Sequence, residues 1–129
     1  MKHQEITEKI IGCFYEVYNE LGPGFLESVY VSALAMALSE KGLKVEREKE
    51  TIVFFRGKSV GVFRSDVIVE NCVLVEAKAG SKFDKAHEAI ALNYLRATTL
   101  EVGLLLNFGP VAEFRRYVYD NSRKQGMQV

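Results

Sequence analysis

Apolar residues recur at helical spacing from residue 4 to residue 21: Ile6, Ile10, Phe14, Val17 and Leu21, with polar positions between them. The pattern predicts an amphipathic helix, and Gly22-Pro23-Gly24 stops it. A second helix is predicted from about Phe25 to Lys41. Leu26, Val29, Tyr30, Ala33, Leu34, Ala37 and Leu38 give it a wide apolar face, and Gly42 stands as its C-terminal cap.

The period then shortens to two. "ETIVFFRG" and "KSVGVFRSDVIV" are rich in β-branched and aromatic residues and predict two strands turning at Arg56-Gly57-Lys58. "CVLVEAKA" predicts a third. Helical spacing returns through Phe83, Ala86, Ile90, Tyr94 and Ala97, with Ser81 and Asp84 resembling a capping box at its start. "VGLLLNFG" is a short continuous apolar run, the form of a strand covered on both faces. "VAEFRRYVY" alternates as a last, edge strand, and the polar tail 120–129 is expected to fray. The order α-α-β-β-β-α-β-β predicts an α/β fold (an α+β mixed sheet) with helices packed on a central sheet, in one domain over 1–129.

The chain has 129 residues, enough for a single core. Its 17 basic and 17 acidic side chains cancel. A tight non-specific nucleic-acid binder is usually more basic, so any such role needs a local basic patch or a bound metal. Cys13 and Cys72 show no CxxC spacing and fit a reducing cytoplasm. The N-terminal stretch is charged too regularly for a secretory signal. No apolar run approaches the ~20 residues of a membrane span. A soluble, cytoplasmic protein is expected.

The chemistry concentrates in "SDVIVENCVLVEAKAG", residues 65–80, where Asp66, Glu76 and Lys78 interrupt two apolar runs. If the turn is a three-residue loop centred on Asn71, Val69 pairs with Val73, Ile68 with Leu74 and Asp66 with Glu76. Directly opposite residues share a face, with Cβ atoms about 4.5–5.5 Å apart. Lys78 joins them by alternation. Val67, Val69, Val73, Val75 and Ala77 then line the other face as core. A one-residue slip would put Asp66 opposite Ala77 and separate the acids. Two such close carboxylates repel and lose solvation, and Lys78 offsets only part of this. A divalent cation offsets more, and hard oxygen ligands select Mg²⁺ or Mn²⁺. The competing reading is a solvated sheet face, or an edge hairpin whose charges block aggregation.

Other residues have two readings each. With Gly24 as N-cap, Glu27 stands at N3, favouring the helix dipole, or it approaches the site. Tyr30 lies on the apolar stripe and reads as core, and its hydroxyl could stand near the site. Arg64 shares the face of Asp66 by alternation and could pair with it or meet a phosphate. Lys82 and Lys85 could bind phosphates. His87 could reach the site rim, and Tyr94 could form part of a pocket wall. Arg115 and Arg116 face opposite sides of the last strand, so at most one joins any patch. No P-loop, dinucleotide fingerprint, zinc spacing or serine or cysteine triad pattern occurs.

The spacing from Asp66 to Glu76-Ala77-Lys78 resembles the D…(D/E)xK signature of the PD-(D/E)XK nuclease superfamily. "GFLESVY", Gly24-x-x-Glu27-x-x-Tyr30, resembles the motif that names the GxxExxY family, generally placed among PD-(D/E)XK-like proteins. The likeness runs on through "FRSD", "VEAKA", "HEAIALNYLRAT" and "GLLLNFG". It implies a restriction-endonuclease-like core and metal-assisted phosphodiester hydrolysis of nucleic acid, DNA before RNA. It implies that Asp66, Glu76 and the backbone carbonyl of Ala77 bind Mg²⁺ or Mn²⁺, that Lys78 orients or deprotonates the attacking water, and that Glu27 is an accessory acid. A homodimer or larger complex is compatible with so small a domain. One departure stands out: related families often carry Gln-x-x-x-Tyr on the helix after the lysine strand, and here Ile90 precedes Tyr94. The alternative is therefore a nuclease-fold binding or assembly module without turnover.

Overall fold

The computed structural model describes residues 2–124. Two helices open the chain, α1 (Gln4–Leu21) and α2 (Glu27–Glu40). Between them Gly22 and Gly24 take φ of 70° and 112°, a left-handed region closed to most side chains. The Gly22 N–H bonds back to the Tyr18 carbonyl at 2.8 Å. Gly42, at φ 82°, follows α2 and bonds to the Ser39 carbonyl, so the expected glycine stop is real. The start of α2 differs from expectation. Leu26 is its N-cap, without a side-chain bond, and Glu27 is the first helical residue rather than the third.

The strands are β1 (Val45–Arg47), β2 (Glu50–Phe55), β3 (Lys58–Arg64), β4 (Val67–Val69), β5 (Val73–Lys78), β6 (Val102–Phe108) and β7 (Ala112–Val118). Five of them form one sheet in the order β1-β4-β5-β6-β7. Only β5 and β6 run parallel, because the helix α3 (Lys85–Ala97) carries the chain across between them. The expected central mixed sheet is present, with β7 at an edge.

Two details depart from the sequence pattern. The run "KSVGVFRSDVIV" is not one strand: β2 and β3 pair only with each other as a separate hairpin, and the chain enters the main sheet afresh at β4. The break falls at Ser65-Asp66. There Ser65 is buried, its N–H and hydroxyl both bond to the Lys49 carbonyl, and the Glu48 N–H bonds to the Asp66 carbonyl. β-propensity is the same on both sides of the break, so composition does not register it. The second is the α3 cap, which is Asp84 rather than Ser81. Asp84 is extended (φ −115°, ψ 164°) and its Oδ1 accepts from the His87 N–H at 2.9 Å, while Ser81 lies exposed in the preceding loop.

The sheet is covered on both faces. On one, α1 and α2 bring Ile10, Phe14, Tyr30 and Leu34 onto Val67, Val69, Val73, Val75 and Ala77, all buried as expected, and onto Leu104, Leu106 and Phe108. Each such large side chain contributes about 1.5–3 kcal/mol on burial. The other face holds a smaller cluster of Ile68, Leu74 and Leu95, walled by Phe63, Tyr94, Leu100 and Tyr117. Cys13 and Cys72 are free thiols. The described part of the tail is tied down: Lys124 donates to the Thr98 and Leu100 carbonyls, and Asp120 pairs with Lys2. Residues 125–129, the rest of the segment expected to fray, lie outside the described residues. Among the described residues, no helix is long and apolar enough to cross a membrane.

Candidate active site

The β4–β5 hairpin turns through Glu70 and Asn71, both left-handed at φ 54° and 56°. This sets the pairs Val69–Val73, Ile68–Leu74 and Val67–Val75. Continued by one residue, that register puts Asp66 opposite Glu76, just past the last ladder pair. Asp66 Oδ2 accepts from the Ala77 N–H at 2.9 Å, which fixes its carboxylate over β5. Glu76 is 9% exposed, and its Oε1 is buried with no hydrogen-bond partner. Burial pushes the Glu76 carboxyl up to about 9; the neighbouring Asp66 charge adds to the rise and Lys78 opposes it. Glu76 therefore lies within electrostatic reach of both Asp66 and Lys78, on the face that carries α3.

Around this pair the backbone is clamped. Asn107, one residue before the end of β6 and beside Lys78 in register, donates from its side-chain amide to the Gly80 carbonyl at 2.9 Å and accepts from the Gly80 N–H at 3.0 Å. The strands leave so little room that a Cβ on Gly109 would overlap the Gly80 carbonyl oxygen. Tyr18 donates from its hydroxyl to the Gly109 carbonyl at 2.8 Å. Tyr30 is fully buried, stacks on Phe108 at 4.4 Å and donates to the Gly22 carbonyl at 2.5 Å. It belongs to the core and pins the turn before α2. Asn107 is the residue beside the acid pair that sequence reasoning missed. Its signal was available: one amide inside the otherwise apolar "GLLLNF".

The remaining candidates disperse. No three His, Cys, Asp or Glu side chains among the described residues form a group that could hold a metal ion, and Glu27 is exposed. Its helix starts near the β5 exit, where Pro23, Gly24 and Phe25 line a groove with Ala79, Gly80 and Ser81. Arg64 does not meet Asp66. The end of β3 at Arg64 ends the alternation, and Arg64 pairs with Glu50 across the β2–β3 hairpin at 3.3 Å. Lys82 and Lys85 are exposed. His87 is half-buried, its Nδ1 without a partner and its Nε2 3.8 Å from Asp84. Tyr94 stacks on Phe63 with an interplanar angle of 12°, and so holds the hairpin to α3. Of the two arginines on β7, Arg115 is on the site face: Glu76 aligns with Leu105 and Leu105 with Arg115, two strand spacings or about 10 Å away. Its guanidinium lies 5.0 Å over the Phe83 ring.

A family model of the PD-(D/E)XK nuclease superfamily matches residues 4–117. The chain belongs to that superfamily. Its fold is also similar to the crystal structure of SSO0001, with a TM-score of 0.59 at 20% sequence identity. The likeness covers 73% of this chain and 50% of that one, so it spans half the length of the solved relative. No curated protein matches the chain. The five-stranded mixed sheet and its flanking helices are consistent with the restriction-endonuclease-like core of PD-(D/E)XK proteins. Those nucleases generally use divalent metal ions. The donor set here suits one: two hard carboxylates, one with a buried oxygen that has no partner within the protein.

Proposed function

We propose that this PD-(D/E)XK protein, of the GxxExxY type, is a nuclease that hydrolyses phosphodiester bonds of nucleic acid, DNA before RNA, with Mg²⁺ or Mn²⁺. The observation that carries the reading is the unpartnered, buried Glu76 Oε1 beside the Asp66 carboxylate. Leaving a buried carboxylate oxygen unsatisfied costs about 1–3 kcal/mol or more, a cost a ligand would remove. Asp66, Glu76 and the Ala77 carbonyl would hold the cation, with Glu27 an accessory acid at the rim. The bound ion would polarise a phosphoryl oxygen and acidify water. Lys78 would orient the attacking water and neutralise charge that builds on the phosphoryl group. Arg115 would bind a neighbouring phosphate. The free thiols suit a reducing compartment, the cytoplasm.

The test is cleavage of single-stranded, duplex and branched DNA and of RNA with Mn²⁺ or Mg²⁺. Lys78→Ala should lower the rate at least ~100-fold. Asp66→Asn keeps an acceptor for the Ala77 N–H but loses the charge, and should abolish saturable metal binding in calorimetry. Turnover by Lys78→Ala at the wild-type rate would sink the assignment. Ile90 favours a second reading, a binding module without turnover. It is 47% exposed on α3 and cannot hydrogen-bond a phosphate. Absence of metal binding at millimolar concentration in the wild type would select that reading.

A further inference from the structure

The β2–β3 hairpin is the part of the molecule that the acid pair does not explain. It hydrogen-bonds to no other strand, and isolated two-stranded hairpins are marginal in water. Phe63 on Tyr94 and the bonds at Ser65 hold its base on the site face, next to Asp66. From there it is an arm about 20 Å long, taking six residues at ~3.3 Å each.

Its side chains are wrong for a solvated edge. Phe55 is 56% exposed, and Val60, left unpaired by the register shift, is 61% exposed. Its charge is equally uneven. In a chain whose net charge is zero, β2 and β3 with their turn carry Arg56, Lys58 and Arg64 against one acid, Glu50, which pairs with Arg64 at the base and leaves the tip cationic. At the tip the Arg56 guanidinium lies 4.8 Å over the Phe55 ring. The turn itself holds Arg56 at φ 51° and Gly57 at 75°. Both angles are positive, a turn for which Asn-Gly is the favoured pair, so an arginine there sacrifices stability for a cation.

We propose that this arm grips single-stranded nucleic acid: Phe55 stacks on a base while Arg56 and Lys58 neutralise the flanking phosphates, at a distance from the acid pair. An aromatic face tolerates every base, and cations beside it track the backbone. A second copy of the chain fits less well. Two arms laid together would bring Arg56 and Lys58 of each tip, four cations, towards one another, because the acid of each arm, Glu50, is already paired with Arg64. The proposal rests on the reading that the chain acts on nucleic acid, and it concerns where the strand is held.

The test is fluorescence anisotropy of a labelled oligothymidylate with full-length protein in chelator, so that cleavage cannot intervene. Phe55→Ala should raise Kd by about 5- to 100-fold. Arg56→Ala with Lys58→Ala should lower the salt slope by about 1.4. Arg56→Asn is the sharpest variant: it should raise the melting temperature by improving the turn, yet weaken binding. Lys9→Ala, on α1 across the sheet from the arm, should bind as the wild type does, and a blunt duplex should compete poorly. Arm variants that bind with wild-type affinity would overturn the proposal. So would a wild type that binds no oligothymidylate, a duplex that competes equally, or a Phe55→Ala change that only splits a dimer. Binding through the arm without cleavage in Mn²⁺ would overturn the nuclease reading alone. Cleavage with undiminished binding by the arm variants would overturn the arm alone.

Discussion

Glu76 carries an electrostatic penalty that can be read from stability. Its carboxyl ordinarily titrates near 4.5, and in the fold it titrates at about 9. Below pH 4.5 both folded and unfolded chains keep the proton, and the group's contribution is fully present. Between 4.5 and 9 the unfolded chain ionises while the folded one holds its proton, so stability falls as pH rises through this window. Glu76→Gln keeps the shape and removes the titration. In chelator, the variant should melt close to the wild type at pH 5 and about 3–10 °C above it at pH 9. An offset that does not change with pH would contradict this account. That Asp66, Glu76 and Lys78 share one face of the sheet was legible because three charged residues inside two apolar runs are conspicuous, and because register follows from loop length. Arg64 was misread by the same logic, since alternation holds only within one strand and the strand ends at Ser65.

At the level of elements, the exit of β5 is fixed by Asn107 and by the contact of Gly80 with Gly109. Asn107→Leu removes both bonds to Gly80 and should cost about 1–3 kcal/mol in a denaturant melt. If the clamp also aims Lys78, cleavage at saturating substrate should fall more than KM changes. Gly109→Ala should destabilise at least as much, because the overlap is with backbone that cannot rotate away. Most element boundaries were written in periodicity: α1, β6 and β7 follow their apolar patterns closely. β1 was not, since Val45-Glu46-Arg47 is too short and too charged to announce a strand and forms by pairing with β4. The α3 cap was misplaced because Ser81 and Asp84 are both good caps, and only the backbone angle at Asp84 decides between them.

The whole molecule divides into a sheet sandwiched by helices and an arm that shares no ladder with it. Hydrogen exchange should report two levels: amides of β5 and β6 exchanging with global unfolding, and those of β2 and β3 exchanging much faster through local opening. Equal protection in both would mean that the arm folds as part of the core. No pattern in the sequence separates these units, because the arm's strands and the sheet's strands draw on the same residues. The root of the arm has a mechanical consequence. Glu48 bonds to the Asp66 carbonyl and Ser65 to the Lys49 carbonyl, so both legs of the arm are tied to one another at the backbone of Ser65 and Asp66. Glu76 sits on β5, braced between β4 and β6. A pull at Phe55 is therefore delivered to the Asp66 backbone, and the bond from the Ala77 N–H to its carboxylate is the brace that keeps this acid beside Glu76.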